Sequence, residues 1–266
     1  FKRVDDIARA AGTARNDPGR IRAGIVYCVD EALDKGDCWI EYNDLVKYTE
    51  KLLILDNIAD IKAIETHLDD LIDGGDLHCE PTISRLLVSQ PAMHAMEVAL
   101  ADVFRQAHHP NPLFQDISAA DVMAMLQSIA PSLNDKQTRA IMQATGCQIS
   151  LITGGAGSGK TFVVSVLVGI ADKLGIPVML CAPTGKAAKR MEQLAGKPAM
   201  TIHRMLGYNG YEWSRSAESP LSPGLIIVDE FSMVDVPLAW HLFQAVDLRN
   251  SAVVVVGDHN QLPPVG

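Results

Sequence analysis

The sequence lacks a long hydrophobic run. No stretch approaches the roughly 20 uninterrupted apolar residues that a membrane helix needs, and residues 1–6 show no apolar run of the signal-peptide type. We therefore expect a protein without membrane association, located in the cytoplasm.

Cysteine is scarce and follows no regular spacing. The five cysteines are Cys28, Cys38, Cys79, Cys147 and Cys181, and none of them forms a Cys-x-x-Cys pair. This spacing excludes a zinc module built on cysteines and a disulfide scaffold, which again favours the cytoplasm.

An overall excess of positive charge is also missing, since the formal net charge is -9. Residues 1–130 hold 12 Lys and Arg against 22 Asp and Glu, whereas residues 131–266 hold 11 against 10. The chain is therefore not a general polyanion binder, and any nucleic-acid surface must be local.

The first part of the chain reads as mostly helical. Apolar residues at helical spacing predict helices up to Gly12, from Asp17-Pro18 to Gly36, and near 43–54, 57–72 and 91–107. Residues 76–89 predict a short hairpin that turns at Glu80-Pro81. Two helices and a hairpin suggest a winged-helix-like unit, whose acidic charge favours a packing or protein-contact role at least as much as DNA binding.

From residue 131 the pattern changes to short β-branched runs that alternate with helices. The runs cover residues 148–153, 177–182, 225–229 and 252–257. Because they are continuously apolar, they predict strands of a parallel sheet covered on both faces. The expected fold is α/β, with domains at 1–40 (helical), 41–107 (winged-helix-like), 108–130 (linker and helix) and 131–266 (nucleotide-binding).

A phosphate-binding loop is the strongest motif. It fits G-x-x-x-x-G-K-[ST], follows an apolar run and opens a helical stretch that begins at Phe162. Its glycines let backbone N–H groups surround phosphate oxygens, Lys160 would reach the phosphates, and the Thr161 hydroxyl would bind Mg²⁺. The residues are Gly154, Gly155, Ala156, Gly157, Ser158, Gly159, Lys160 and Thr161.

An acidic pair ends the apolar run at 225–229. Asp229 would hold Mg²⁺, usually through water, and Glu230 would orient or deprotonate the attacking water. With the phosphate loop, this pair predicts a nucleoside triphosphatase, although the two motifs alone also suit a kinase, a GTPase or an oligomeric ATPase.

The remaining motifs separate these candidates. The segments, in chain order, are Leu133 to Gln137, Cys181 to Met191 with Pro183-Thr184-Gly185-Lys186, Thr201 to Leu206, Asp229 to Asp235, and Gly257-Asp258-His259-Asn260-Gln261-Leu262-Pro263-Pro264-Val265-Gly266. In this order they resemble the first motor domain, of RecA-like fold, of a superfamily 1 DNA helicase of the RecD-like/TraA class, which moves 5′ to 3′ on single strands.

The resemblance implies a role for individual residues. Gln137 and Phe162 would belong to the nucleotide site with the phosphate loop, and Gln261 would sense the γ-phosphate and couple it to DNA. The DNA track would include Pro183, Thr184, Lys186, Thr201 and His203. The implied cofactors are ATP and Mg²⁺, and the implied partners are single-stranded DNA and nuclease- or relaxase-type proteins of DNA repair or recombination.

A local positive patch agrees with a DNA track. Residues 185–204 hold five Lys and Arg against one acid, Glu192. A solvated helix face is the alternative explanation of such charge, which we favour less. Tyr208, Tyr211 and Trp213 follow in a Gly-, Ser- and Pro-rich excursion, where they either stack on bases or, as we slightly favour, pin the loop to its own domain.

The first residues also resemble this class. Phe1 to Ala8 and Asp17 to Ile25 look like the end of the helix-hairpin-helix region that precedes long RecD-like motors. We expect the chain to be a fragment without a second motor domain, one that binds nucleotide and hardly hydrolyses it. The alternatives are a nucleotide-gated scaffold for a protein partner and a P-loop kinase.

Overall fold

The structure is a computed structural model that describes residues 1–55, 57–107, 109–155, 157–258 and 260–261. The chain divides into two compact units, Phe1–Val98 and a second unit that begins at Ala99. Within the described ranges, no helix combines the length and apolar character that are needed to cross a bilayer.

The first unit is mostly helical and carries one small sheet. A further helix, α5 (Pro91–Gln106), begins in this unit and ends in the second. The other elements are α1 (Lys2–Ala10), α2 (Pro18–Leu33), β1 (Ile40–Glu41), α3 (Tyr42–Leu53), α4 (Ile58–Asp73), β2 (His78–Pro81) and β3 (Leu86–Ser89).

Helix α2 begins as the sequence predicts. The Asp17 side chain accepts a hydrogen bond from the backbone N–H of Arg20 at 3.0 Å, and Pro18 occupies the first turn. Helices α2, α3 and α4 share one apolar core with the small sheet. Its fully buried members include Ile21, Ile25, Leu45, Leu53, Ile64 and Leu68.

The predicted turn at Glu80-Pro81 is wrong. Both residues belong to β2, where Glu80 pairs with Leu87 and Pro81 with Leu86, and the turn follows them. The small sheet has the antiparallel order β1-β3-β2, so β2 is an edge strand. A proline is tolerated there because its missing N–H costs no ladder hydrogen bond.

The second unit is α/β, as the sequence predicts. Its strands are β4 (Ile149–Thr153), β5 (Val178–Ala182), β6 (Ala199–Thr201), β7 (Leu225–Val228) and β8 (Ala252–Gly257). Its helices are α6 (Ala119–Ile129), α7 (Asp135–Gly146), α8 (Lys160–Lys173), α9 (Gly185–Ala195), α10 (Ile202–Met205) and α11 (Val236–Gln244).

The five strands form one parallel sheet in the order β4-β8-β7-β5-β6. Successive residues of a strand face opposite layers: Leu225 and Ile227 pack in the cluster that contains α8, whereas Ile226 and Val228 pack in the cluster that contains α11. Burial on both faces explains the continuously apolar runs. The three-residue strand β6 was not predicted, because it is too short to show a pattern.

Two isoleucines of α4 test the core of the first unit. Ile64 is 0% exposed and Ile58 is 75% exposed. Ile64→Ala should lower the free energy of unfolding by about 2–5 kcal/mol, because it removes buried methyl groups and leaves a cavity.

The matched control is Ile58→Ala, which should change that free energy by no more than about 0.5 kcal/mol. Urea denaturation followed by circular dichroism measures both variants. Equal destabilisation by the two substitutions would contradict the described packing of α4.

Candidate functional site

The loop between β4 and α8 has a backbone that requires glycine. Gly157 and Gly159 adopt φ values of +77° and +85°, in the left-handed region. A Cβ on Gly154 would lie 2.7 Å from Oγ of Ser158, and one on Gly159 would collide with the side-chain amide of Gln137. The predicted site residue Ala156 lies outside the described residues.

Lys160 is the first residue of α8 and is half-buried. Its Nζ donates hydrogen bonds to the carbonyl oxygens of Gly154 and Gly155, the latter at 3.1 Å. The ammonium group therefore lies over the loop at the amino-terminal end of a 14-residue helix, where the helix dipole also favours an anion. Thr161 follows it half-buried, and Phe162 is 41% exposed.

Gln137 makes two kinds of contact. It forms a capping box with Asn134, in which the side-chain oxygen of Gln137 accepts from the N–H of Asn134 at 3.2 Å. Its Nε2 donates to the carbonyl oxygen of Ser158 in the glycine loop at 3.4 Å. Gln137 can therefore cap α7 and contact the glycine loop at the same time.

The acidic pair begins where β7 ends. The N–H of Asp229 donates to the carbonyl oxygen of Cys181 at 2.9 Å, and its Oδ1 accepts from the N–H of Glu230 at 2.9 Å. Burial raises the pKa of Asp229, while the positive charges of Lys160 and Arg190 act to lower it. The charge of the glycine-loop lysine thus acts on the first carboxylate of the acidic pair.

Glu230 has an unusual backbone for its residue type. Its φ is +53°, in the left-handed region that favours glycine, and it precedes a 3-10 turn over Phe231–Met233. Non-glycine residues held there are strained by about 1–3 kcal/mol and cluster at functional sites. The strained backbone position thus carries the carboxylate for which the motif implies a role.

Strand β8 brings the third segment to the same place. It lies between β4 and β7, and the N–H of Gly154 donates to the carbonyl oxygen of its last residue, Gly257, at 3.4 Å. Asp258 is buried and accepts from the N–H of Asn260 at 3.0 Å, while Gln261 is exposed. His259 and residues 262–266 of this motif lie outside the described residues.

The segments expected to follow DNA start at the same edge of the sheet. β5 and β6 are parallel neighbours in which Ala182 pairs with Thr201. The hydroxyl groups of Thr184 and Thr201 accept from the N–H groups of Ala187 and Arg204, each at 3.2 Å, and thereby cap α9 and α10. Their neighbours at this edge are Pro183, which is half-buried, and Lys186 and His203, which are exposed.

The positive patch is only partly free. Lys186, Lys189 and Arg190 are exposed on α9, whereas Lys197 forms an ion pair with Asp172 of α8. The exposed cations of this patch therefore include three on α9, of which Arg190 also acts on Asp229.

The aromatic residues of the 207–223 excursion divide into two groups. Trp213 stacks between His203 and His241, with ring centroids 5.4 and 4.2 Å away, and Tyr208 lies 4.4 Å from Trp213. These contacts attach the loop to its own unit through Trp213. Tyr211, in contrast, is 93% exposed.

Two buried polar groups at the site had no role in the sequence analysis. Asp258 is 5% exposed, and the Ser232 hydroxyl is buried without a hydrogen-bond partner in the described part of the chain. Both residues lie within motif segments of the sequence. A sequence pattern does not reveal burial, so their position in these motifs was the one signal that could have identified them.

Two family models match the chain. One describes an AAA domain and covers residues 137–266, and the other describes an ATP-dependent RecD2 DNA helicase HHH domain and covers residues 1–39.

Curated proteins show the same relationship. An ATP-dependent RecD2 DNA helicase of Deinococcus radiodurans is 31% identical over 271 residues, which cover 100% of this chain and 38% of that protein. The RecBCD enzyme subunit RecD of Mycobacterium tuberculosis is 30% identical over 217 residues, which cover 68% of this chain and 37% of that protein.

A RecBCD enzyme subunit RecD of Haemophilus influenzae is 31% identical over 157 residues, which cover 49% of this chain and 24% of that protein. The chain spans less than two-fifths of the length of each of these relatives. The two family models and these relatives point to the same family. The chain therefore belongs to the RecD-like superfamily 1 helicases, and its residues correspond to their N-terminal region and a motor domain.

Proposed function

We propose that the second unit binds ATP with Mg²⁺ and that the whole protein couples ATP hydrolysis to 5′ to 3′ movement on single-stranded DNA. One observation carries this proposal. The glycine loop, the acidic pair and the turn with Gln261 follow three adjacent parallel strands, and an exposed cationic helix follows the next strand of the same sheet.

The residues present fit a nucleoside triphosphate. Gly157 and Gly159 provide the left-handed backbone of the loop, Lys160 holds an ammonium group over it, and the charge of Lys160 acts on the Asp229 carboxylate. In this proposal the backbone N–H groups of the loop and Lys160 bind the phosphates. Phe162 and Gln137 border the nucleotide, with Gln137 toward the base.

Thr161 and Asp229 are the proposed holders of Mg²⁺. When bound, the ion would neutralise charge on the phosphate oxygens. Glu230 would accept the proton of the attacking water, and its fixed backbone would keep the carboxylate in one orientation. Gln261 would pass the state of the phosphate site toward the DNA track through the exposed turn after β8.

The DNA track of the proposal comprises Pro183, Thr184, Lys186, Thr201 and His203. Cations on α9 would contact phosphates, which fixes position without reading sequence. The stacking of His203 on Trp213 would hold its ring in place. Nuclease- or relaxase-type partners, a role in DNA repair or recombination and a location in the cytoplasm belong to the same proposal.

The Lys160→Ala variant tests the nucleotide site. We expect ATP-Mg²⁺ binding by the 266-residue chain to weaken at least about tenfold, because the variant removes a charge-assisted contact to phosphate. Titration with a fluorescent ATP analogue measures the affinity, and the same samples report hydrolysis, which we expect to be slow.

The matched control is Lys173→Ala at the other end of α8, where the lysine contacts Oγ of Ser128 at 3.3 Å. It should bind nucleotide as the unsubstituted chain does. If Lys160→Ala also kept full affinity, the assignment of the glycine loop as a nucleotide site would fail.

The Lys186→Ala variant tests the DNA track. Loss of one phosphate contact should weaken the binding of an oligothymidine, and it should weaken the binding of other single-stranded sequences by the same factor. It should also reduce the slope of log affinity against log salt by about 0.7.

Lys173→Ala again serves as the control, since it removes an exposed lysine of the same unit outside the track. Fluorescence anisotropy over a range of salt concentrations measures both slopes. Identical slopes for the two variants would show that the α9 face is an ordinary solvated surface.

A further inference from the structure

Three potential ligands converge in the first unit. His78 and Glu80 lie two residues apart on β2 and so project from the same face of the strand. His94 comes from the first turns of α5. One ligand atom from each of the three side chains lies within 4.8 Å of the others.

These side chains make no polar contact with the described part of the chain. Within the described ranges, neither histidine ring nor the Glu80 carboxylate has a hydrogen-bond or ion-pair partner. His67 in the same unit differs, because its Nδ1 lies 3.4 Å from a carboxylate oxygen of Asp70. Half-buried imidazoles without a partner are available for coordination.

Trp39 supports the two rings from one side. Its indole contacts both histidines edge to face, with ring centroids 5.8 Å from His78 and 5.5 Å from His94. Its Nε1–H donates to Glu97 at 2.6 Å, which fixes the indole. The rings of His78 and His94 stack in parallel, 3.8 Å apart.

We propose that His78, Glu80 and His94 bind one divalent transition-metal cation of the Zn²⁺ type, with water completing the coordination. Two imidazole nitrogens and one carboxylate oxygen are ligands that Zn²⁺ and its neighbours prefer. Mg²⁺ and Ca²⁺ instead require several oxygen ligands, and Glu80 is the one side chain in this cluster that supplies oxygen.

Binding requires a small rearrangement of the side chains. With metal–nitrogen distances of about 2.1 Å, the two nitrogens of a tetrahedral site lie roughly 3.4 Å apart. The stacked rings must therefore tilt so that their lone pairs point to a common centre, and Glu80, which is exposed, rotates toward them. The bound ion joins the hairpin strand β2 to α5.

Calorimetric titration of the 266-residue chain with Zn²⁺ tests the site. The buffer contains excess Mg²⁺, which occupies any other metal site whose ligands are oxygen atoms. We expect one equivalent to bind, and Glu80→Gln and His94→Gln each to weaken binding at least about tenfold. Glu80 is exposed, so Glu80→Gln should leave the fold intact, which circular dichroism without metal checks.

The matched control is Cys79→Ser, between the two β2 ligands on the opposite face of the strand, which should retain Zn²⁺ affinity. Co²⁺ should give a tetrahedral absorption spectrum without thiolate bands, and Cu²⁺ should quench the fluorescence of Trp39. The proposal is overturned if the chain binds no Zn²⁺, if both ligand variants bind it unchanged, or if Cys79→Ser abolishes binding.

Discussion

The site of the second unit depends on one arrangement, the insertion of β8 between β4 and β7. All six residues of β8 are buried, so the strand is fixed by apolar contacts on both faces. Hydrogen bonding to both neighbours sets its register, with Val254 opposite Ser150 and Ile227. The glycine loop, the acidic pair and the Gln261 turn consequently emerge side by side, at the edge where open α/β sheets bind ligands.

Hydrogen bonds at the ends of the strands further fix the segments that the sheet brings together. The Gly154–Gly257 hydrogen bond joins the start of the glycine loop to the end of β8, and the Asp229–Cys181 hydrogen bond extends the sheet by one residue beyond β7. The carboxylate of Asp229 is thereby held in partly buried surroundings, where the charge of Lys160 acts on it. In the proposed mechanism, Lys160 binds the phosphates and Asp229 helps to hold the metal ion.

The sequence was most informative where a short motif carries its own physical requirement. The glycines of residues 154–159 demand a special backbone, and the doubly buried strands demand continuous apolar runs, so both could be predicted. The hairpin turn was misplaced because a proline suggests a turn unless one knows that its strand lies at an edge. Strand β6 was missed because three residues carry no period.

Contacts between distant residues were beyond the reach of sequence patterns. The stack of His203, Trp213 and His241 joins three separate elements. The cluster of His78, Glu80 and His94 likewise depends on how α5 packs beside β2. No local spacing encodes either, since only the tertiary fold brings these residues together.

The most direct test of the account measures ATP hydrolysis by the natural full-length protein, with and without single-stranded DNA, beside its Lys160→Ala variant. If the sheet edge links the nucleotide site to a DNA track, single-stranded DNA should stimulate ATP hydrolysis. The Lys160→Ala variant should lose this hydrolysis. Hydrolysis indifferent to DNA would contradict the coupling and favour a scaffold or kinase. Hydrolysis retained in the variant would contradict the assignment of the site itself.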